Sequence, residues 1–136
     1  MGYVFAEVTL KNAYDVGQVV LGDIKESEVR QKNLQALVDT GSNYLVITEE
    51  LRRELGLRIT GKRGVSLADN TRLICDLAEP VEIHWKDRFA IQSALVVPDR
   101  PNVLLGAWPL EEMDLIVDPV RQEVTGAHGD DWVYYM

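Results

Sequence analysis

The stretch Ala36-Leu37-Val38-Asp39-Thr40-Gly41-Ser42 runs an apolar strand directly into a carboxylate and a turn. Leu34 to Val38 reads as the end of a strand, and Asp39-Thr40-Gly41-Ser42 is the turn signal that stops it. A carboxylate at the end of a buried strand loses water, which raises its pKa unless donors compensate. Thr40 and Ser42 supply hydroxyls. Gly41 has no Cβ, so the backbone can turn sharply and bring an N–H close. The pattern puts a carboxyl in an apolar cradle ringed by donors, an arrangement suited to proton transfer. A bare Asp-Thr-Gly is better explained as an ordinary β-turn, because three-letter motifs are weak signals. The neighbours lower that reading. Surface turns usually join polar strand ends, whereas Leu37-Val38 precedes this turn and Tyr44-Leu45-Val46-Ile47 follows it.

A second apolar run, Val103-Leu104-Leu105-Gly106, ends on a glycine 67 residues after Asp39 (106 − 39). Between and around these two features the chain reads as short strands. Val4, Ala6, Val8 and Leu10 alternate with Tyr3, Phe5, Glu7 and Thr9, the period of a half-buried strand. Lys11 to Ser27 is expected to be a long connection holding at most a short strand at Val19–Leu21. Val65 to Leu67 and Arg72 to Cys75 flank Asp69-Asn70 as a hairpin with a two-residue turn. Val81, Ile83 and Trp85 form a further strand, turned at Lys86-Asp87 into Phe89 to Val97. Leu115-Ile116-Val117 and Glu123-Val124-Thr125 close the chain around Asp118-Pro119. Two short helices are expected. One follows Thr48 as N-cap, with Leu51 and Leu55 on one face and Gly56 at its end. The other spans Ala107 to Asp114. Seven to nine strands with regular turns imply a closed or folded-over β-barrel or sandwich, not βαβ units.

The two signatures, in this order, resemble those of retropepsin-like (clan AA) aspartic proteases, in their bacterial and archaeal single-domain branch. Ala36 to Ser42 is similar to the catalytic signature, and Val103 to Gly106 with the helix after it to the second. Leu110-Glu111 and Leu115 to Pro119 add to the likeness, which runs from Tyr3 to about Val124. The resemblance implies an all-β, closed acid-protease barrel with two short helices, one domain over residues 1–136, extended as a tail from about 127. It implies half an enzyme per chain, completed as a C2 homodimer acting on peptide or protein substrates without a cofactor or metal. Asp39 of each subunit would form the catalytic dyad. Thr40 would lock the two loops across the axis, Gly41 would offer its N–H, and Ser42 would bond the outer oxygen of Asp39. Leu104, Leu105 and Gly106 would pack under the loop, and Ala68, Asp69, Asn70 and Thr71 would tip a flap. The residues agree on the count of carboxyls. Acid–base hydrolysis of this kind needs two, and the chain has one Asp-Thr-Gly. Asp15-Val16-Gly17 is the nearest substitute, but no buried strand is expected before it. The chain departs from the viral pattern in its flap tip, which is not glycine-rich, in the longer Lys11–Ser27 connection, and in the aromatic tail.

Composition sets the outer bounds. Lys and Arg number 14 against 22 Asp and Glu, a formal charge of −8, with 46% hydrophobic and 26% charged residues. That balance is ordinary for a globular domain, and its acidity argues against nucleic acid and anionic membranes. No apolar run approaches the roughly 18–20 residues that span a bilayer. The stretch Met1 to Glu7 lacks the basic start of a signal peptide, so a cytoplasmic protein is expected. Cys75 is the only cysteine, which excludes an intrachain disulfide and reads as a small buried hydrophobe. His84 is expected to face solvent, His128 to sit in a polar tail, and Lys62-Arg63 in a solvated loop. Trp85, Trp108 and Trp132 are expected as core or interface anchors. Two other functions fit less well. The fold could serve as a catalytically inactive dimeric peptide-binding or scaffolding module, which the intact Asp39-Thr40-Gly41 opposes. A phosphate loop of the sugar-kinase type would need a second domain and a second glycine-rich loop.

Overall fold

A computed structural model describes residues 3–136; of the N-terminal stretch read above, Met1 and Gly2 lie outside it. The described residues form a mostly-β structure with three short helices. In order these are β1 (Phe5–Asn12), α1 (Ala13–Val20), β2 (Gln31–Val38), β3 (Leu45–Ile47), α2 (Glu49–Glu54), β4 (Ile59–Ser66), β5 (Arg72–Trp85), β6 (Arg88–Val96), β7 (Leu104–Leu105), α3 (Ala107–Glu112), β8 (Leu115–Asp118) and β9 (Glu123–Gly126). Seven strands make one sheet in the order β1-β2-β7-β3-β6-β5-β4, and β1 also pairs with β5. Hydrogen-bonded neighbours therefore run from β1 through β2, β7, β3, β6 and β5 back to β1, with β4 added outside. β8 and β9 form a separate hairpin. The alternation read from the sequence sets the faces. Ala6, Val8 and Leu10 are buried while Phe5 is exposed, and Leu45, Ile47, Val81, Ile83, Ala90, Ala94 and Leu105 join them in one core.

Three expectations need correction. Lys11 to Ser27 is not a loose connection: β1 continues to Asn12, and α1 occupies Ala13–Val20 where a short strand at Val19–Leu21 was expected. Asn12 makes the helix possible. Its side chain accepts the Asp15 N–H (3.1 Å) as an N-cap and donates to the Leu55 carbonyl (2.8 Å), so a buried amide is satisfied on both sides. Second, Val81–Trp85 is not a separate strand. It continues the 14-residue β5, with Pro80 sitting at a register shift where no ladder N–H is required. Third, Lys62 and Arg63 lie in β4 rather than a loop, and Lys62 pairs with Asp76 at 2.7 Å. The α2 helix follows its signals. Thr48 Oγ1 accepts the Leu51 N–H at 3.1 Å, and Gly56 takes the left-handed φ of 64° after the C-cap.

Candidate active site

Two short strands bring the two sequence signatures together. β2 and β7 run parallel, with Leu37 opposite Leu104 and Val38 opposite Leu105. The backbone carries that pairing into the turn: Asp39 N–H donates to the Leu105 carbonyl at 3.0 Å. β3 then pairs antiparallel with β7 on its other side. Gly106 closes the arrangement. Its N–H donates to Tyr44 O (3.1 Å), and the Ala107 and Trp108 N–H groups donate to Ser42 O (2.7 Å) and Asn43 O (3.0 Å). A Cβ at position 106 would stand 2.4 Å from Tyr44 O and 2.7 Å from Ser42 O, so only glycine fits against this backbone. Leu105 and Gly106 are buried and Leu104 half-buried beneath the loop.

The Asp39 carboxylate is half-buried and accepts the Gly41 N–H at 3.0 Å through Oδ1. A Cβ on Gly41 would sit 3.2 Å from that oxygen, so the glycine leaves the carboxylate room. Ser42 reaches Asp39 through the backbone, its N–H donating to the Asp39 carbonyl at 3.1 Å. Among the described residues the Ser42 hydroxyl makes no bond to the carboxylate. Thr40 is exposed at the tip of the loop. In place of a ring of donors, a single chain gives Asp39 one N–H and an open face.

Asp39 opens into a cleft of about 540 Å³. One wall is the hairpin of β4 and β5, which reaches over the loop with Val65, Leu67 and Ala68. The floor is apolar, built on a second cluster of Val46, Cys75, Leu95 and Val97. The hairpin tip differs from the expected two-residue turn. Leu67 N–H pairs with Thr71 O (2.9 Å), leaving the three-residue loop Ala68-Asp69-Asn70. Asn70 takes a left-handed φ of 66°, the residue that glycine would otherwise supply. Asp69 Oδ1 accepts both the Thr71 hydroxyl (2.6 Å) and the Thr71 N–H (3.0 Å), which lowers the Asp69 pKa and fixes the tip. Cys75 is buried as expected, and burial raises its thiol pKa. Asp15 is not a second catalytic candidate, though for a different reason from the expected one. A buried strand does precede it. It lies in α1 with its carboxylate on Arg30, which donates through Nε (2.9 Å), NH2 (2.9 Å) and the backbone N–H (3.0 Å). That partner holds its pKa down.

The sequence reading missed Tyr44 and Arg100 as cleft residues, and it missed how the tail is held. Arg100 comes from the loop between Pro98 and Pro101, where no periodicity assigns a direction. The tail packs back on its own chain as a strap. Arg88, only 3% exposed, donates to four carbonyls: Met113, Asp114, Gly129 and Asp131. His128 is exposed in the tail, yet tied down there; its Nδ1–H donates to Asp114 Oδ2 (2.7 Å) while Nε2 pairs with the Tyr135 hydroxyl (2.8 Å). His84, expected to face solvent, is half-buried, paired with Glu82 at 2.7 Å and stacked on Phe89. The His128 hydrogen bond, assisted by the Val133 N–H and the charges of His128 and Arg88, lowers the Asp114 pKa against the opposing effect of burial. A carboxylate depressed in the folded state stabilises the fold above its unfolded pKa, and that contribution is lost as pH falls through the folded value. Stability is thus expected to drop below about pH 4, and Asp114→Asn to flatten that part of the curve in denaturant titrations. An unchanged acid limb would show that Asp114 does not couple the strap to folding.

Comparison with known proteins accords with this geometry. A family model described as aspartyl protease matches residues 14–107. Comparison with curated proteins gives no match. Among solved structures, the EIAV protease in complex with the inhibitor HBY-793 superposes with a TM-score of 0.57 at 21% identity, over 81% of this chain and 86% of that one. The retroviral protease-like domain of Ddi1 from Leishmania major gives 0.55 at 11% identity, over 92% and 88%. A retropepsin-like aspartic protease from Rickettsia conorii gives 0.55 at 18% identity, over 86% and 77%. At these identities the likeness is one of fold. Taken with the family match over residues 14–107, it means that this chain belongs to the aspartyl protease family and has a retropepsin-like fold.

Proposed function

We propose that the chain is an aspartic endopeptidase, one closed barrel domain over residues 1–136, whose working unit is a C2 homodimer with one Asp39 from each subunit. The observation that carries this reading is the charge of the cleft. Among the described residues that line it, Asp39 and Arg100 are the only charged ones, so a single chain offers one carboxyl where the reaction needs two. The exposed Thr40 and the open face of Asp39 are where a second copy would meet the first. An isologous interface supplies the same residue twice. In the dimer one Asp39 carboxylate takes a proton from water, and the other, protonated, gives its proton to the carbonyl oxygen of the peptide. The resulting tetrahedral diol collapses as a proton passes to the leaving nitrogen. Gly41 N–H holds the carboxylate, Ser42 and Thr40 brace the loops, and Leu104, Leu105 and Gly106 keep them rigid. Ala68, Asp69, Asn70 and Thr71 close over the substrate and exclude water. The cleft and the −8 charge favour a polypeptide substrate over nucleic acid.

Dilution tests this reading. Cleavage rate is expected to fall with the square of protein concentration once sedimentation shows monomer, and the pH profile of the dimer to be bell-shaped. Activity that stays first order in a monomer would sink the shared site. A stable dimer that binds peptides without cleaving them would replace the enzyme with a peptide-binding module.

A further inference from the structure

A second depression, about 570 Å³, lies beside the cleft between α3, β6 and the strap. Tyr44 and Trp108 form one wall, with ring centroids 5.0 Å apart and planes tilted by 57°. Tyr134 forms the other. Its hydroxyl donates to the Glu112 carbonyl, and the Trp132 indole N–H donates to the same oxygen at 3.0 Å, so the strap aromatics are fixed. Three features of this groove are unsatisfied. Gln92 Oε1 is buried with no donor, the only buried side-chain polar atom so placed among the described residues. Glu111 makes no side-chain bond, and Glu112 accepts only the Ile91 N–H (2.7 Å). Neither has a cationic partner among the described residues. Both acids also stand in the last turn of α3, where no basic residue offsets the negative helix end.

The two acids and the aromatic walls want the same thing: unpaired carboxylates want positive charge, and tilted aromatic faces bind cations on a greasy stem. We infer that this groove binds a lysine or arginine side chain of a polypeptide, its methylenes against Tyr44, Trp108 and Tyr134 and its charged head toward Glu111 and Glu112. Tyr44 lines the cleft as well as the groove, so a chain lying over Asp39 passes the mouth of the groove. That the polypeptide is the substrate rests on the protease reading; that the groove takes a basic side chain does not. The groove then explains how an acidic protein with an apolar cleft selects its substrates: by a basic residue at a fixed distance from the scissile bond.

The test uses peptides identical but for one residue, lysine, norleucine or glutamate, moved along the sequence. Binding is read by fluorescence anisotropy on full-length Asp39→Asn protein, and cleavage on the wild type. At one position lysine is expected to bind about tenfold tighter than norleucine, with glutamate weakest and the gain shrinking as salt rises. Glu111→Lys, a change at an exposed position, is expected to abolish the lysine gain, and Trp108→Leu to reduce it. Equal binding of lysine and norleucine at every position, or a lysine gain untouched by Glu111→Lys, overturns the inference. A Glu111-dependent lysine gain without any cleavage by the wild type supports the groove and defeats the protease reading. Cleavage without a lysine gain does the reverse.

Discussion

Asp39→Asn is expected to lower peptide cleavage by on the order of 10³-fold or more while leaving the fold intact. Asparagine keeps the shape of aspartate and still presents an oxygen to the Gly41 N–H that Oδ1 accepts at 3.0 Å. What it loses is the ability to take and return a proton, which is the whole contribution of this residue in the proposed reaction. The measurement is cleavage of an unstructured polypeptide together with the denaturant midpoint. A large loss of rate at constant midpoint separates chemistry from folding. Mixing sharpens it. Equal amounts of wild type and Asp39→Asn, unfolded and refolded together, give about one quarter of dimers with both carboxyls if subunits pair at random. Activity is then expected near one quarter of the rate from the same total amount of wild type, rather than one half. A value near one half would mean that each subunit works alone, and wild-type activity from Asp39→Asn would move the chemistry to another residue.

The second large effect is expected at Gly106. The Gly106→Ala methyl would lie 2.4 Å from Tyr44 O, 2.6 Å from Asn43 C and 2.7 Å from Ser42 O. All three are backbone atoms that cannot rotate away as a side chain can. The loop must move, and its movement breaks the bonds that Gly106, Ala107 and Trp108 make to Tyr44, Ser42 and Asn43. A cost of about 2–4 kcal/mol follows from overpacking and lost backbone hydrogen bonds. Because Asp39 rests on the same strand pairing, activity should fall further than the unfolded fraction accounts for. The check is a denaturant midpoint alongside kcat/KM at a temperature where the variant is folded. A variant of wild-type stability would show that this close approach can relax.

The parts of the fold governed by local chemistry were legible before the structure. Thr48 caps α2, Gly56 ends it, and the alternation of β1 predicts its buried face. Asp39 and Gly106 stood out on paper because each ends an apolar run, and the family resemblance implied that the two meet. The α1 helix could not be read, since Gly17 and the valines at 16, 19 and 20 are weak helix formers and no apolar face repeats cleanly. It is held by partners distant in sequence: Asn12 reaches Leu55, and Asp15 reaches Arg30. The continuity of β5 through Pro80 was not legible either, because the bulge that accommodates the proline depends on the register with β6. The strap was invisible for the same reason. Nothing near Arg88 in sequence announces that it gathers carbonyls 25 to 43 residues away. The role assigned to the Ser42 hydroxyl came from likeness, and a single chain does not supply that bond.

The parallel pairing of Leu37 with Leu104 has a consequence for the order in which the proposed site is completed. Contacts between distant parts of a chain form late, because closing the loop costs entropy before any bond repays it. During synthesis β2 and the loop at Asp39 emerge before β7, the strand that seats that loop and lies 67 residues further on (104 − 37). A ribosome-bound fragment thus carries the carboxylate without its support. If the proposed enzyme also needs a second copy, completion of the site is postponed twice: until β7 has emerged, and then until two folded subunits meet. The order of strands would serve as a timer as well as a scaffold.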